Sequence, residues 1–276
     1  MPADPGRLDG SAPEPGVSKP DPVLEIDVVR RSFGGLHAVD VDHLEIQRHT
    51  VTSLIGPNGA GKTTLFNVLS GFDQPNEGVW HLNGGPLVGV PAHQVARRGM
   101  VRTFQLTRSL ARLTVLENML VAAKDQRGES LRGALFGGWH DTEEANEVRA
   151  HELLQRYDLD QMSDEYAGSL SGGQRKLLEI ARALMVDPEV IMLDEPMAGV
   201  NPALTQSLLG HITSLRDEGM TVVFIEHDMD VVQEISDWVV VLAEGRVIAE
   251  GPPSAIATNQ AVIDAYLGAR HGEAAS

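Results

Sequence analysis

The stretch GPNGAGKTT, Gly56–Thr64, follows the apolar run VTSLI and precedes LFNVLSG, which reads as a helix. Its spacing is G-x-x-x-x-G-K-T, and between a strand and a helix this pattern forms a loop that cradles phosphate groups. Gly56, Gly59 and Gly61 let the backbone turn tightly enough to aim its N–H groups inward, and the following helix adds the positive end of its dipole. Lys62 is placed to reach the terminal phosphates of a nucleoside triphosphate, and the Thr63 hydroxyl to ligate Mg²⁺. Gly56, Pro57, Asn58, Gly59, Ala60, Gly61, Lys62, Thr63 and Thr64 are therefore the first candidate nucleotide contacts. The plain alternative, a glycine-rich turn with an exposed lysine, explains neither flank.

The chain around this loop has 276 residues, enough for one or two domains with a sizeable core. Its net charge of −17 argues against a nucleic-acid surface as the main business, since phosphate-tracking proteins carry a basic face. There is no cysteine, which rules out disulfides, thiolate metal sites and cysteine catalysis. No apolar run approaches the roughly 18 residues that a bilayer span needs, and the N-terminus lacks a signal-peptide core.

Residues 1–22 are rich in proline, small and acidic residues and read as a disordered tail. From Val23 the alternating segments VLEIDVVRRSF and VDHLEI read as strands of an antiparallel flank. VTSLI, VIML and TVVFI are different: continuous apolar runs, as in strands buried on both faces of a mostly parallel sheet. Each ends in polar residues, respectively Gly56 onward, Asp194-Glu195 and Glu226-His227-Asp228. In open α/β sheets ligands bind beyond the carboxyl ends of the strands, so these groups are expected to converge on one nucleotide. A helical subdomain, about residues 106–187, is expected to be inserted into this α/β core. WVVVLAEGRVIAEG reads as a hairpin, followed by short helical pieces ending near Gly268 and a flexible terminus, 269–276.

Two further motifs narrow the chemistry. In VIMLDEP, Asp194 is placed to hold Mg²⁺ and Glu195 to polarise an attacking water beside the terminal phosphate. In LSGGQRKLLEIARAL, Ser171 caps a helix whose glycines, Gly172 and Gly173, leave open backbone N–H groups, a second anion-facing tip. Leu177, Ile180, Ala181 and Leu184 fall on one face of that helix and are expected to pack.

At LSGGQ, Leu170–Gln174, the sequence resembles the ATP-binding subunits of ATP-binding-cassette (ABC) transporters, and the resemblance runs from about Val23 to Gly268. It implies an ABC-type P-loop NTPase fold, α/β with a mostly parallel sheet, an antiparallel β subdomain and an inserted helical subdomain, binding ATP and Mg²⁺. Residue by residue, it implies that Phe33 stacks on adenine and that Gln105 in RTFQ senses the γ-phosphate and Mg²⁺. It implies that His227 in IEHDM holds the γ-phosphate and attacking water, and that Ser171, Gly172, Gly173 and Gln174 act on the nucleotide of a second subunit. The loop Ala198-Gly199-Val200-Asn201 falls where the dimer contact follows the catalytic glutamate, with asparagine where many relatives have aspartate.

RTFQ, TVLENMLVAA, AGVNP, IEHDM and VIDAYLG together look like the ATPase of bacterial branched-chain amino acid importers. Close relatives serve urea or short-amide importers, and a more distant one lipid export; repair and translation ATPases share the cassette but carry long coiled coils or paired cassettes. The implied partners are a second ATPase subunit, as homodimer or heterodimer, two transmembrane permeases near Gln105, and indirectly a substrate-binding protein. No nucleic acid is implied, and the expected location is the cytoplasmic face of the bacterial inner membrane. Leu106, Leu110 and Leu113 are apolar in a segment expected at the surface and are candidates for the permease contact or for packing under the helical subdomain.

Overall fold

The computed structural model describes residue 8 and residues 13–103, 110–123 and 139–273. In chain order the strands are β1 (Pro22–Phe33), β2 (Leu36–Gln47), β3 (Val51–Ile55), β4 (Glu77–Leu82), β5 (Gly85–Pro86), β6 (Met100–Arg102), β7 (Val190–Asp194), β8 (Thr221–Ile225), β9 (Trp238–Ala243) and β10 (Arg246–Gly251). The α-helices are α1 (Lys62–Leu69), α2 (Ala92–Arg97), α3 (Val115–Val121), α4 (Trp139–Arg156), α5 (Gly172–Leu184), α6 (Pro202–Asp217), α7 (Met229–Ile235), α8 (Pro253–Ile256) and α9 (Gln260–Glu273). The chain divides into two compact units, one of Met1–Arg102, Glu189–Ala198 and Gln206–Ser276, the other of Thr103–Pro188 and Gly199–Thr205. Among the described residues no helix is long and apolar enough to cross a membrane.

The first unit contains two sheets. One is antiparallel, in the order β2-β1-β4-β5, and the other has the order β10-β9-β3-β8-β7-β6. In the second, β9, β3, β8, β7 and β6 pair in parallel and only β10 runs antiparallel, at the edge. The apolar runs β3 and β8 are buried at every position, as continuous apolar strands of a parallel sheet require. WVVVL was expected only as half of a hairpin. It does pair antiparallel with β10, but its other edge pairs in parallel with β3, making β9 a central strand beside the phosphate loop. The adjacent strands β3, β8 and β7 bring their carboxyl ends to one edge of the sheet, with Asp194 in register with Ile225.

The segment expected as a disordered tail, 1–22, departs from that reading over its last part. Lys19 is buried, with its ammonium 2.7 Å from Glu250 Oε2, 2.9 Å from the Val17 carbonyl and 4.4 Å from the centre of the Trp238 ring. Glu250 is fully buried too; its Oε1 accepts from the Gly16 and Val17 N–H groups and its Oε2 from Trp238 Nε1. Composition marks lysine as a surface residue, but a buried carboxylate on β10 supplies the charge and acceptors that make its burial tolerable. Removing one partner of such a pair strands the other. Lys19→Met is accordingly expected to lower stability by about 3 kcal/mol, measured by denaturant unfolding, a loss that Glu250→Gln in the same background should partly restore. At the other terminus α9 continues to Glu273 rather than ending near Gly268, so the expected flexible end at 269–276 is helical over most of its length.

The second unit is helical. Thr114 and Glu117 form a reciprocal capping box at the start of α3, which fixes where that helix begins. On α5 the residues Leu177, Ile180, Ala181 and Leu184 are buried, as expected of its apolar face, and α3 and α4, which bury Val115, Met119, Ala150 and Leu154, contact that helix. The Arg149 guanidinium on α4 donates to the carbonyl of Leu184 at 3.1 Å, satisfying an acceptor at the end of α5.

Candidate functional site

A cleft of ≈1230 Å³ in the first unit is lined by Phe33, Asn58, Gly59, Ala60, Gly61, Lys62, Thr63, Thr64 and Glu195. Its floor is the loop between β3 and α1. Gly56 has φ +147° and Gly61 φ +98°, and a Cβ at either would collide with a backbone carbonyl, Leu242 on β9 or Ala38 on β2. Glycine is required because the loop is pressed onto two neighbouring strands while turning through a conformation that side chains disfavour. The Gly245 N–H, between β9 and β10, donates to the Ala60 carbonyl at 3.0 Å, so the C-terminal hairpin supports the loop directly.

Lys62 Nζ donates to the carbonyls of Gly56, at 2.6 Å, and Pro57, at 3.0 Å. Burial pushes its pKa below the ordinary lysine value, while Glu195 and Asp194 nearby oppose that shift. A cation folded over its own loop and flanked by two carboxylates is poised to exchange carbonyl acceptors for phosphate oxygens. Glu195 has φ +47°, a left-handed conformation uncommon for a non-glycine residue. Its N–H donates to the Ile225 carbonyl at 3.1 Å. Backbone held this way costs on the order of 1–3 kcal/mol and concentrates at functional positions.

Phe33 is half exposed and lines the cleft. The Arg31 guanidinium lies 4.4 Å over its ring and is itself held by Asp73, with Nε–Oδ2 at 2.9 Å and Nη2–Oδ1 at 2.8 Å. The ring is thus a braced platform fit to take a flat base. His37, Asp40, Glu244 and Arg246 also line the cleft, and sequence reasoning passed over all four.

Asp194 ends β7 with its carboxylate partly exposed, and Arg102 Nη2 donates to its Oδ2 at 2.6 Å. Among the described residues no group of three His, Cys, Asp or Glu side chains could hold a metal by themselves. Asp194 and the Thr63 hydroxyl are hard oxygen donors of the kind that bind Mg²⁺ as one or two protein ligands beside substrate phosphates, so the donor set fits that ion. His227 follows β8 with its ring largely exposed. The preceding Glu226 is buried; its Oε1 accepts from the Met197 N–H at 3.0 Å and its Oε2 from the His227 N–H at 3.2 Å. Glu226 therefore ties the turn after Glu195 to the start of the histidine loop. IEHDM contained the signal for it, a carboxylate directly after a fully apolar strand.

Gln105 and Leu106 lie outside the described residues, as does the side chain of Leu110; Leu113 is half buried. In the second unit, Ser171 caps α5 and forms a capping box with Gln174. Ser171 Oγ accepts from the Gln174 N–H at 3.3 Å, and Gln174 Oε1 accepts from the Ser171 N–H at 2.9 Å. The Gln174 side chain is therefore engaged within its own helix start, and Gly172 and Gly173 follow as the exposed and the buried member of the tip. Asn201, at the aspartate position of many relatives, accepts from the Leu204 N–H at 3.0 Å and caps α6, a task either residue type performs.

The sequence profile of the ABC transporter family matches residues 39–198. The chain belongs to that family and is an ATPase whose hydrolysis is coupled to transport. Residues 246–272 match the family described as branched-chain amino acid ATP-binding cassette transporter. The chain is 44% identical over 251 residues, 90% of its length and 98% of the relative's, to the high-affinity branched-chain amino acid transport ATP-binding protein BraF of Pseudomonas aeruginosa. It is 42% identical over 254 residues, with the same coverage, to the corresponding LivG protein of Escherichia coli. Among solved structures it is similar to the ADP conformation of an ATP-binding cassette of an ABC transporter, with TM-score 0.78 and 35% identity over 90% of this chain and 99% of that one. A dimeric post-hydrolysis cassette bound to ADP and Pi has TM-score 0.69 and 26% identity, covering 83% of this chain and 98% of its own.

Proposed function

We propose that this chain is the ATP-hydrolysing subunit of a bacterial importer for branched-chain or related amino acids. The observation that carries the catalytic reading is the convergence, in one cleft, of the phosphate loop, the braced Phe33 ring and Glu195. The substrate class rests on the named relatives and on residues 246–272. In this reading Phe33 stacks on adenine, and the loop N–H groups from Asn58 to Thr64 with Lys62 bind the phosphates. Asp194, Thr63 and Gln105 would hold Mg²⁺, which when bound offsets charge on the phosphates. Glu195 accepts the proton of the attacking water, and His227 orients that water against the γ-phosphate.

Ser171, Gly172, Gly173 and Gln174 act on the nucleotide of a second ATPase subunit, so ATP joins two chains, like or unlike, and its hydrolysis releases them. Two permeases and a substrate-binding protein complete the machine at the cytoplasmic face of the inner membrane; the chain's acidity disfavours nucleic acid as a partner.

Purifying the native complex and identifying its permeases tests the assignment, together with ATP turnover in proteoliposomes supplied with binding protein loaded with leucine, urea or nothing. Stimulation by the leucine-loaded protein is the expected result; stimulation by urea alone, or a complex without a binding protein, would overturn the substrate class. The two-subunit site has its own test. Ser171→Arg is expected to leave ATP binding by the isolated subunit unchanged while lowering hydrolysis by the assembled pair about 10²-fold. Ser171 is preferable to Gly173 for this purpose, because a Cβ at Gly173 would collide with Leu204 of the same subunit. Loss of binding in the isolated subunit would refute the arrangement.

A further inference from the structure

Arg102 closes β6 and is a cation that is almost wholly buried, and it does not line the cleft. Its two terminal nitrogens serve two different elements: Nη1 donates to Asn67 Oδ1 on α1 at 2.6 Å and Nη2 to Asp194 Oδ2 on β7 at 2.6 Å. The guanidinium also lies 5.6 Å from the centre of the Phe66 ring. The arrangement follows from register. β6 pairs in parallel with β7, with Arg102 opposite Met192, so the end of β6 lies alongside the end of β7, which Asp194 closes. Asn67 is on the helix that the phosphate loop begins, so one rigid planar cation joins the loop's helix to the acidic residue.

We infer that Arg102 is a positioning residue for the magnesium site: anchored by Asn67, it holds Oδ2 of Asp194 and leaves Oδ1 as the oxygen for the ion that ATP brings. The inference rests on the assignment of Asp194 to Mg²⁺ made above. A carboxylate at a strand end has two free torsions, and a ligand that must be found among several rotamers binds more weakly than one already set. Outer partners that orient a metal ligand typically contribute 10- to 100-fold in metal affinity. Arginine suits the task because its planar fork holds two separate nitrogens in fixed directions toward acceptors on two different elements, whereas a lysine offers a single nitrogen on a flexible stem. A plain structural ion pair between neighbouring strands would look the same in the resting protein, and would affect nucleotide binding equally with or without metal.

The experiment is equilibrium binding of ATP to the purified full-length chain in EDTA and in Mg²⁺, read as the ratio of the two dissociation constants. Arg102→Met is expected to reduce the Mg²⁺-dependent tightening about 10-fold while the dissociation constant in EDTA stays within about twofold of wild type. Asn67→Ala, which frees the other end of the guanidinium and leaves Asp194 intact, is expected to move the ratio in the same direction by less. This second variant decides the matter if Arg102→Met does not fold. Asp194→Asn serves as the reference and is expected to abolish the tightening. If Asp194→Asn leaves the ratio at its wild-type value, the assignment of Asp194 to the metal fails. If Asp194→Asn abolishes the tightening while the folded Arg102 and Asn67 variants keep the wild-type ratio, or bind Mg²⁺-ATP more tightly, the positioning role of Arg102 is overturned.

Discussion

Glu195→Gln is expected to convert the protein into a form that binds ATP and scarcely hydrolyses it. The carboxylate lines the cleft from a turn locked in a left-handed conformation, with its N–H bonded to Ile225 and the following turn tied by Glu226. Those constraints act on the backbone, so glutamine will occupy the same place with the same shape but without the ability to accept a proton. General-base loss of this kind slows the chemical step by about 10²- to 10⁴-fold. The substitution also removes negative charge from the neighbourhood of Lys62 and the phosphates, so ATP affinity should persist or rise. An ATP-loaded pair of subunits should accumulate in Mg²⁺-ATP and dissociate slowly, whereas in the wild type that species should be transient. Sedimentation with and without ATP, alongside phosphate release and with any partner ATPase present, measures both. Near-normal hydrolysis would move the base to another group.

Lys62→Ala has the opposite character, acting first on binding. The ammonium is the one side-chain cation on the phosphate loop, and its present acceptors are the loop's own carbonyls. Losing a charged hydrogen-bond donor to the phosphates costs roughly 1.5–3 kcal/mol, or about 10- to 100-fold in affinity, and the loop also loses the cross-link from its helix to Gly56 and Pro57. Weakened ATP binding with turnover reduced to background is the expected outcome. ATP titration by calorimetry checks it, and unchanged affinity and turnover would remove Lys62 from the site. Together the two variants separate holding the nucleotide from reacting it: Lys62→Ala should fail at both, Glu195→Gln only at the second.

Most of the residues assigned to this site are legible in the chain because their signals are local. GPNGAGKTT between an apolar strand and a helix encodes its own turn geometry, and VTSLI, VIML and TVVFI encode burial on two faces, each over a handful of consecutive residues. Capping at Ser171 is equally local, since the donor and acceptor are three positions apart. Tertiary structure alone decided the rest. WVVVL has the same apolar pattern whether it belongs to a lone hairpin or, as here, lies between β3 and β10, because pairing depends on which edge the folded sheet leaves open. Lys19 reads as a solvated charge in a polar tail until Glu250, more than two hundred residues away, provides its counterion in the core. Arg102 stands beside Gln105 in RTFQ as one more polar letter, and only the parallel register of β6 with β7 sets it against Asp194. The division has a physical basis. Turn geometry, capping and strand burial are set by neighbours along the chain, whereas a buried charge acquires its role from the partner that packing brings to it, and that partner is not marked in the sequence.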